Sequence, residues 1–179
     1  MPLSNDDLIV EDGSVVEDAN AYVTIAFVDA YHELRASAEW LNATVAQKVA
    51  AIVQATDYVD TRWSFVGSRA DDEQVLEWPR LNAEDRNGFE QEDNVPLVVQ
   101  QTVAEYALRA LSGDLLPDPE PDENGKFITL KREKVGPLEE ETRYSETVGK
   151  RYIKPYPKAD RRLAQSGLVF TGGQRVIHA

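Results

Sequence analysis

The chain has 179 residues, enough for one compact domain with extensions, and 42% of them are hydrophobic, which suffices for a modest core. It contains no cysteine and only two histidines, so disulfides and a thiol nucleophile are excluded and a zinc site of the usual type is poorly supplied. The net charge is −13, and the charges are unevenly distributed along the chain. Residues 1–125 carry 7 Lys and Arg against 26 Asp and Glu, whereas residues 143–179 carry 8 Lys and Arg against 2 Asp and Glu. A body this acidic argues against binding of duplex DNA, whose phosphates need clustered cations.

The first two predicted helices follow a short N-terminal strand. Residues 7–10, DLIV, have strand character, and the ten residues after them are typical of turns and loops. Thr24 and Thr44 are suitable N-caps for two helices whose apolar residues recur at three- and four-residue spacing. The predicted buried faces contain Phe27, Val28, Tyr31 and Leu34 in the first helix and Val45, Val49, Ile52, Val53, Val59 and Trp63 in the second.

A third helix is predicted after a long connection. Asn94 is a suitable N-cap, Pro96 would lie in the first turn, and Gly113 follows the last apolar residue. Its buried face is predicted to contain Val99, Val103, Tyr106, Ala107, Ala110 and Leu111. Residues 64–93 are too many for a structureless loop in a small domain, so we expect them to pack on the body, with room for a short helical turn. The anchors predicted for this packing are Phe65, Leu76 and Trp78.

These elements predict a mainly α protein: a small helical bundle with a β-strand or hairpin arm and an extended C-terminal tail. We divide it into a helical body at 1–116, an acidic Pro-rich linker at 117–126, a β arm at 127–145 and a basic C-terminal extension at 146–179, within which PKADRRLAQS is predicted to be a short helix. Because about fifty residues after the linker exceed what a three-helix core can cover, we expect their apolar side chains to be covered by a neighbouring subunit.

Candidate catalytic and metal-binding residues are few. Asp29 and His32 fall on adjacent positions of the first helix, as an acid/base pair would require, but a histidine at the edge of an amphipathic face is the simpler interpretation. The acidic clusters lack the ligand spacing of a calcium loop, and no phosphate-binding glycine motif is present. Trp40, Trp63 and Trp78 lie beside apolar and acidic residues, which favours packing over base stacking. We therefore expect no enzyme activity, no metal and no cofactor.

The start of the chain lacks a basic segment followed by an apolar one, and no apolar run approaches the roughly 20 residues of a transmembrane helix. We therefore expect a soluble, intracellular protein without a membrane partner.

Several segments, in their order, resemble a known family. They are LIVEDGSVVEDANAYVTIAFVDAYHELR, ATDYVDTRW, FVGSR, LEWPR, VPLVVQQTVAEYALRAL with GDLLPD, and KREKVGPLEEETRY. This order resembles the head–tail connector (adaptor, head-completion) proteins of tailed bacteriophages, and within them the branch labelled DnaT-like single-stranded-DNA-binding protein. The resemblance runs from about residue 7 to 144 and continues weakly into the tail. The acidic EPDENG segment and the Lys- and Arg-rich tail depart from shorter relatives.

The resemblance implies a structural virion protein in the neck between head and tail, assembled in the host cytoplasm. It would form a ring, typically of twelve copies, that docks on the portal protein and links it to tail or tail-completion proteins, while genomic DNA passes through the channel without specific binding. An alternative function is that of a single-stranded-DNA-binding or replication accessory protein. The sequence favours this less, because the body shows no basic groove.

Two sets of residues carry the predicted contacts. If the chain turned tightly at Gly136 and Pro137, Lys134 would face Glu139 and Arg132 would face Glu141. Because proline suits the second central position of such a turn poorly, we favour a wider loop, with a strand edge that pairs with the next subunit. The inter-subunit arm is predicted to use Lys131, Arg132, Lys134, Val135, Leu138, Glu139, Glu141 and Tyr144. Portal docking on an acidic rim is predicted to use Tyr152, Ile153, Tyr156, Arg161, Arg162, Leu163, Val176 and Ile177.

Overall fold

The computed structural model describes residues 2–92, 94–117 and 154–170, and the backbone of residues 127–134 and 139–145. Over these residues the chain is mostly helical, as the sequence predicts. The helices are α1 (Ile25–Glu33), α2 (Ala38–Leu41), α3 (Val45–Arg62), α4 (Leu97–Ala110) and α5 (Pro157–Ala164), and the strands are β1 (Ser68–Arg69), β2 (Arg80–Leu81), β3 (Phe127–Lys134) and β4 (Glu139–Ser145). None of the helices in the described part of the chain is long and apolar enough to cross a membrane.

The predicted caps of α1 and α3 are confirmed. The Thr24 hydroxyl accepts a hydrogen bond from the Phe27 N–H at 3.1 Å, and Thr44 forms a capping box with Gln47. The predicted cap of α4 is wrong, because the N-cap is Pro96 and not Asn94. A residue before proline is disfavoured in helical conformation, so the helix cannot extend back past Pro96. The predicted strand at 7–10 is also not formed: Asn5–Asp7 is a 3-10 turn, and Val10 makes a single bridge to Ala21.

The core is built around the contact between α3 and α4. Most of the predicted apolar faces are buried, and Leu34 and Val45 are exposed exceptions at 87% and 51%. The half-buried members are Phe27, Val53, Trp63, Ala110 and Leu111. Each lies at a helix end, Leu34 as the C-cap of α1 and Val45 as the first residue of α3. The fully buried side chains include Val28, Trp40, Ile52, Val59, Trp78, Val99, Val103, Tyr106 and Leu163.

Residues 64–93 pack on this core as predicted, with Phe65, Leu76 and Trp78 buried. Instead of a helical turn, this connection contains the antiparallel pair β1 and β2. At Gly67, which has a φ of +73°, a Cβ atom would lie 2.3 Å from the Leu81 carbonyl oxygen, so the close approach of the two strands requires glycine there.

Residues 156–170 belong to the helical body, contrary to the expectation that the part of the chain after the linker lacks cover in its own chain. The predicted helix is present as α5, which packs against α4. Tyr156 and Leu163 are buried, and Phe65 pairs with Val169 in an antiparallel bridge. The physical reason is that the segment brings its own apolar face: with helical spacing, Ala159 and Leu163 fall together against the body.

Strands β3 and β4 form an antiparallel hairpin within the chain. Lys134 lies opposite Glu139 and Arg132 opposite Glu141, the register that a turn about Gly136 and Pro137 predicts, and a bulge interrupts the ladder between Ile128 and Leu130. The connection at 135–138, including the width of its turn, lies outside the described residues. By backbone contacts the chain divides into two compact units: Leu116–Pro155, which contains the hairpin, and the described residues on either side of it. The predicted division at 116, 126 and 145 stays a prediction.

The burial of α5 gives a direct test of its place in the core. Replacing Leu163 by alanine removes a fully buried side chain, so we expect L163A to lower the free energy of unfolding by about 2–5 kcal/mol. The matched change L34A removes an exposed side chain and is expected to cost less than about 0.5 kcal/mol. Denaturant unfolding of both variants measures the difference. Equal, small effects would mean that α5 does not stay docked in solution.

Candidate functional site

One groove on the helical body is lined by four cationic side chains and one carboxylate. Its volume is about 800 Å³, and its lining includes Arg86, Lys158, Arg161 and Arg162 together with Asp85. We call it the basic groove. In a chain with a net charge of −13, a local excess of positive charge creates a potential that attracts anionic ligands to this one surface.

Three elements that are distant in sequence form the basic groove. Arg86 comes from the connection between α3 and α4, the two arginines come from α5, and Leu97 and Val98 come from the first turn of α4. The N–H groups at a helix start add a partial positive charge. The connection is fixed to the segment after α5, because the Arg86 N–H donates to the Ser166 carbonyl at 2.7 Å.

A buried carboxylate holds α5 in place beneath the basic groove. Glu105, 1% exposed in the middle of α4, accepts hydrogen bonds at Oε1 from the Tyr31 hydroxyl (2.5 Å) and from Lys158 Nζ (2.7 Å). Burial acts to raise the pKa of Glu105, but the hydrogen bonds and the charge of Lys158 bring that pKa below its usual value. Burial and the contact with Glu105 raise the pKa of Tyr31 to about 12. The pair is therefore ionised glutamate with neutral tyrosine at neutral pH.

The four cations of the groove differ in how far they are already engaged. Lys158 is paired with Glu105, and Arg162 donates to the side chains of Gln101 and Tyr31. Arg86 is exposed and makes one long contact, 3.4 Å, to the Gln165 carbonyl. Arg161 is exposed, and no acceptor for its side chain is found among the described residues. Arg86 and Arg161 are thus free to meet a ligand, whereas the other two position α5.

A second anchor of α5 is Asp160. Its carboxylate accepts hydrogen bonds from Tyr106 (2.6 Å), from Arg62 (2.9 Å) and from the Tyr156 N–H (3.0 Å). The rings of Tyr106 and Tyr156 also pack edge to face against Tyr58. Burial and the hydrogen bond to Asp160 raise the pKa of Tyr106, so the tyrosine stays a donor. These contacts tie α5 to both α3 and α4.

The structure disperses the residues predicted for portal docking. Tyr156 and Leu163 lie in the core, and Arg162 is engaged there, so of the described members Arg161 alone projects freely at the surface. Tyr152, Ile153, Val176 and Ile177 lie outside the described residues. Of the predicted arm, the backbone of Lys131, Arg132, Lys134, Glu139, Glu141 and Tyr144 lies in β3 and β4, and Val135 and Leu138 lie outside the described residues.

Sequence reasoning missed Arg86 and Glu105. Glu105 interrupts the buried face of α4 between Thr102 and Tyr106, and a charged residue at such a position was a signal that a cationic partner packs there. Arg86 gave no signal, because the other cations of the groove come from a helix more than 70 residues later.

The histidine of α1 takes part in packing and not in an acid/base pair. His32 is fully buried between Tyr31 and Trp40, and its two ring nitrogens contact the Ala104 carbonyl (2.9 Å) and the Ser37 hydroxyl (3.1 Å). Burial lowers the pKa of His32, which keeps the ring neutral. Asp29 turns away to Trp40 and to Lys48. The position at the edge of a helix face, expected from the sequence, is therefore wrong.

Another buried carboxylate, Asp60, has a strongly perturbed pKa. Its oxygens accept the Tyr22 hydroxyl at 2.7 and 2.8 Å and the Glu77 N–H at 3.1 Å. Burial raises the pKa of Asp60 to about 7, because these neutral donors do not offset the lost hydration. Asp60 does not line the basic groove. Within the described ranges, no cluster of three or more His, Asp or Glu side chains could hold a metal ion.

Comparison with known proteins gives a family. A family model described as "Putative DnaT-like ssDNA binding protein" matches residues 7–177. The chain belongs to this family. The match includes all of the residues of the hairpin unit, most of those of the helical body and every residue that lines the basic groove. No curated protein and no solved structure matched the chain.

The pKa of Asp60 predicts a specific pH dependence of stability. Because the folded pKa is raised, the folded state binds the proton more tightly than the unfolded state, and stability falls as pH rises from about 4 to about 7. A shift of this size corresponds to roughly 4 kcal/mol. We expect D60N, which stays neutral, to lose this decline, as measured by urea unfolding at several pH values.

The exposed carboxylate Asp72 supplies the control, and D72N should retain the wild-type pH profile. The lowered pKa of His32 acts in the opposite direction below about pH 6.5, so the difference between D60N and wild type, and not the wild-type curve alone, isolates Asp60. Parallel curves for D60N and wild type would contradict the prediction.

Proposed function

We propose that the protein binds single-stranded DNA, with the backbone phosphates lying in the basic groove. The observation that carries this proposal is the gathering of four cationic side chains around one groove of an otherwise acidic body. The sequence alone shows no basic groove in the body, but the docking of α5 forms one. The family description supports the same ligand.

The charges predict weak binding that depends on salt. Two free and two engaged cations can neutralise about two to four phosphates, so the logarithm of the association constant should fall with the logarithm of salt concentration with a slope of about −1.4 to −2.8 for single strands. The rest of the surface repels phosphate, which confines the strand to the groove. Binding of this kind depends on the phosphate backbone and carries no sequence preference by itself.

Charge reversal of a free cation tests the proposal. We expect R161E to weaken binding of a fluorescent oligothymidine and to reduce the salt slope by at least about 0.7, the contribution of one phosphate contact. The matched control is R69E, which makes the same charge change at an exposed arginine outside the groove. Fluorescence anisotropy over a range of salt concentrations measures both. An equal loss in the two variants would indicate general electrostatics, and would contradict binding in the groove.

A second candidate function is that of a ring-forming adaptor between the portal and the tail of a phage virion. Two observations favour it: the resemblance of the ordered segments to head–tail connectors, and the hairpin of β3 and β4, which lies in a compact unit of its own. Among the described strands, β3 and β4 pair only with each other, which leaves one edge of each without a described partner strand, and such an edge can pair with a neighbouring copy. In this function the ring would occupy the virion neck and leave a channel for DNA.

The adaptor candidate needs a different docking surface from the one expected from sequence. The Tyr156 and Leu163 side chains are buried in their own chain, so they are not exposed anchors for a portal. Arg161 can still contact an acidic portal rim. The arm residues on β3 and β4 keep their proposed role through the backbone edge.

Disrupting the hairpin separates the two functions. Thr142 lies opposite Lys131 in the ladder, and T142P removes a backbone N–H and restrains the strand. If the hairpin joins subunits, T142P should abolish ring formation on portal-containing heads, as measured by the mass of the complex, while T142V should assemble normally. Oligonucleotide binding and the unfolding midpoint of the body should not change in either variant. Rings of normal mass with T142P would exclude the arm from assembly.

A further inference from the structure

An exposed aromatic side chain lies beside the basic groove. Phe89 is 66% exposed, and its chain neighbours Asn87 and Gln91 line the groove, as does Arg86. Exposure of a large aromatic ring to water is unfavourable, and the core offers no compensating contact here. A ligand that covers the Phe89 ring would remove this apolar surface from water.

The loop that carries Phe89 is closely tied together. The Asp85 N–H donates to the Phe89 carbonyl at 2.9 Å, and the Asp85 carboxylate accepts the N–H groups of Asn87 (2.7 Å) and Phe89 (3.1 Å). Hydrogen bonding of the Asp85 carboxylate to these N–H groups holds its pKa below the usual range, so the carboxylate stays an acceptor. Gly88 has a φ of +80°, which lets the chain turn at this point.

The same loop is also fixed to the body at both ends. The Gln91 N–H donates to the Ala83 carbonyl at 2.8 Å, and Arg86 is bound to Ser166 through its backbone. At Gly167, with a φ of +84°, a Cβ atom would lie 2.5 Å from the Arg86 nitrogen, so the two segments are in close contact. Phe89 is thus displayed by a fixed loop.

Other aromatic side chains of the described body are not placed to stack on a ligand in the groove. Trp40 and Trp78 are fully buried, and Trp63, half-buried, donates to the Tyr106 hydroxyl at 3.2 Å. Among the residues whose side chains the structure describes, Phe89 and Phe170 are the exposed aromatic ones. Phe89 has groove-lining residues on both sides in the chain, whereas Phe170 follows one of them, Leu168, and its N–H is bound to the Ser64 carbonyl outside the groove.

We infer that Phe89 is a base-stacking residue, which takes a nucleobase of a single strand whose phosphates are held by Arg86 and Arg161. This inference rests on the proposed binding of single-stranded DNA. It adds a contact to the nucleobase, which the phosphate-binding arginines do not recognise. The loop that carries both the Phe89 ring and the Arg86 guanidinium suits a nucleotide, because the base presents an apolar face while its phosphate is anionic. Bases of a duplex are stacked on one another and have no free face, so Phe89 favours single strands.

The test compares two ligands of equal charge. One is an oligothymidine of about 15 nucleotides, within the range of known site sizes, and the other is an abasic phosphodiester of the same length. Stacking of one base on an aromatic ring corresponds to roughly 5- to 100-fold in affinity, so wild type should bind oligothymidine tighter than the abasic strand by that factor. In F89A the ratio should fall to about one, with affinity for the abasic strand unchanged.

Two further variants make the result specific. F89W should keep the preference for oligothymidine, and its new indole should be quenched on binding, whereas F170A should behave as wild type. A wild-type ratio of about one, or a preference that survives in F89A, would overturn the role of Phe89 while leaving phosphate binding intact. No binding of either ligand by wild type would overturn the proposed function itself, and the inference with it.

Discussion

The structure of the body depends on the docking of α5 against α4. Leu163 fills the core at this contact, and the buried carboxylate of Glu105 and the partly buried one of Asp160 each accept hydrogen bonds from cationic and hydroxyl donors of other elements. A buried charge is tolerated only when it is paired, so undocking of α5 would be unfavourable for Glu105, which would lose the charge of Lys158. Apolar burial supplies the stability and the polar pairs fix the position. The basic groove exists because this one helix is held in this place.

Docking of α5 also changes where the positive charges of the C-terminal part lie relative to the acidic body. In the sequence, an acidic body and a basic tail are separate, and the tail looks like an arm for a partner. In the folded chain, α5 places cations on the acidic body itself, where Lys158 balances the buried Glu105 of α4 and where Lys158, Arg161 and Arg162 line the groove. Part of the positive charge that seemed available for another protein is used within the chain.

The two candidate functions use different parts of the molecule. The basic groove, with Arg86 and Arg161 free and Phe89 at its edge, supports a nucleic-acid ligand, and family membership agrees with it. The proposed adaptor function would use the hairpin of β3 and β4, because the edge of a strand can pair with another copy. A protein in contact with DNA inside an assembly could use both surfaces.

The sequence by itself determined the main helices and, for the case of a turn about Gly136 and Pro137, the strand register. Thr24 and Thr44 cap α1 and α3 through contacts three residues away, and the charge pattern around Gly136 and Pro137 matches the pairing of Lys134 with Glu139. Such features follow from short-range spacing. Tertiary structure alone decided that α5 belongs to the body, that His32 is buried, and that Arg86 meets Arg161 at one groove. These depend on contacts between residues more than 50 positions apart, and no local pattern specifies which apolar face will cover another.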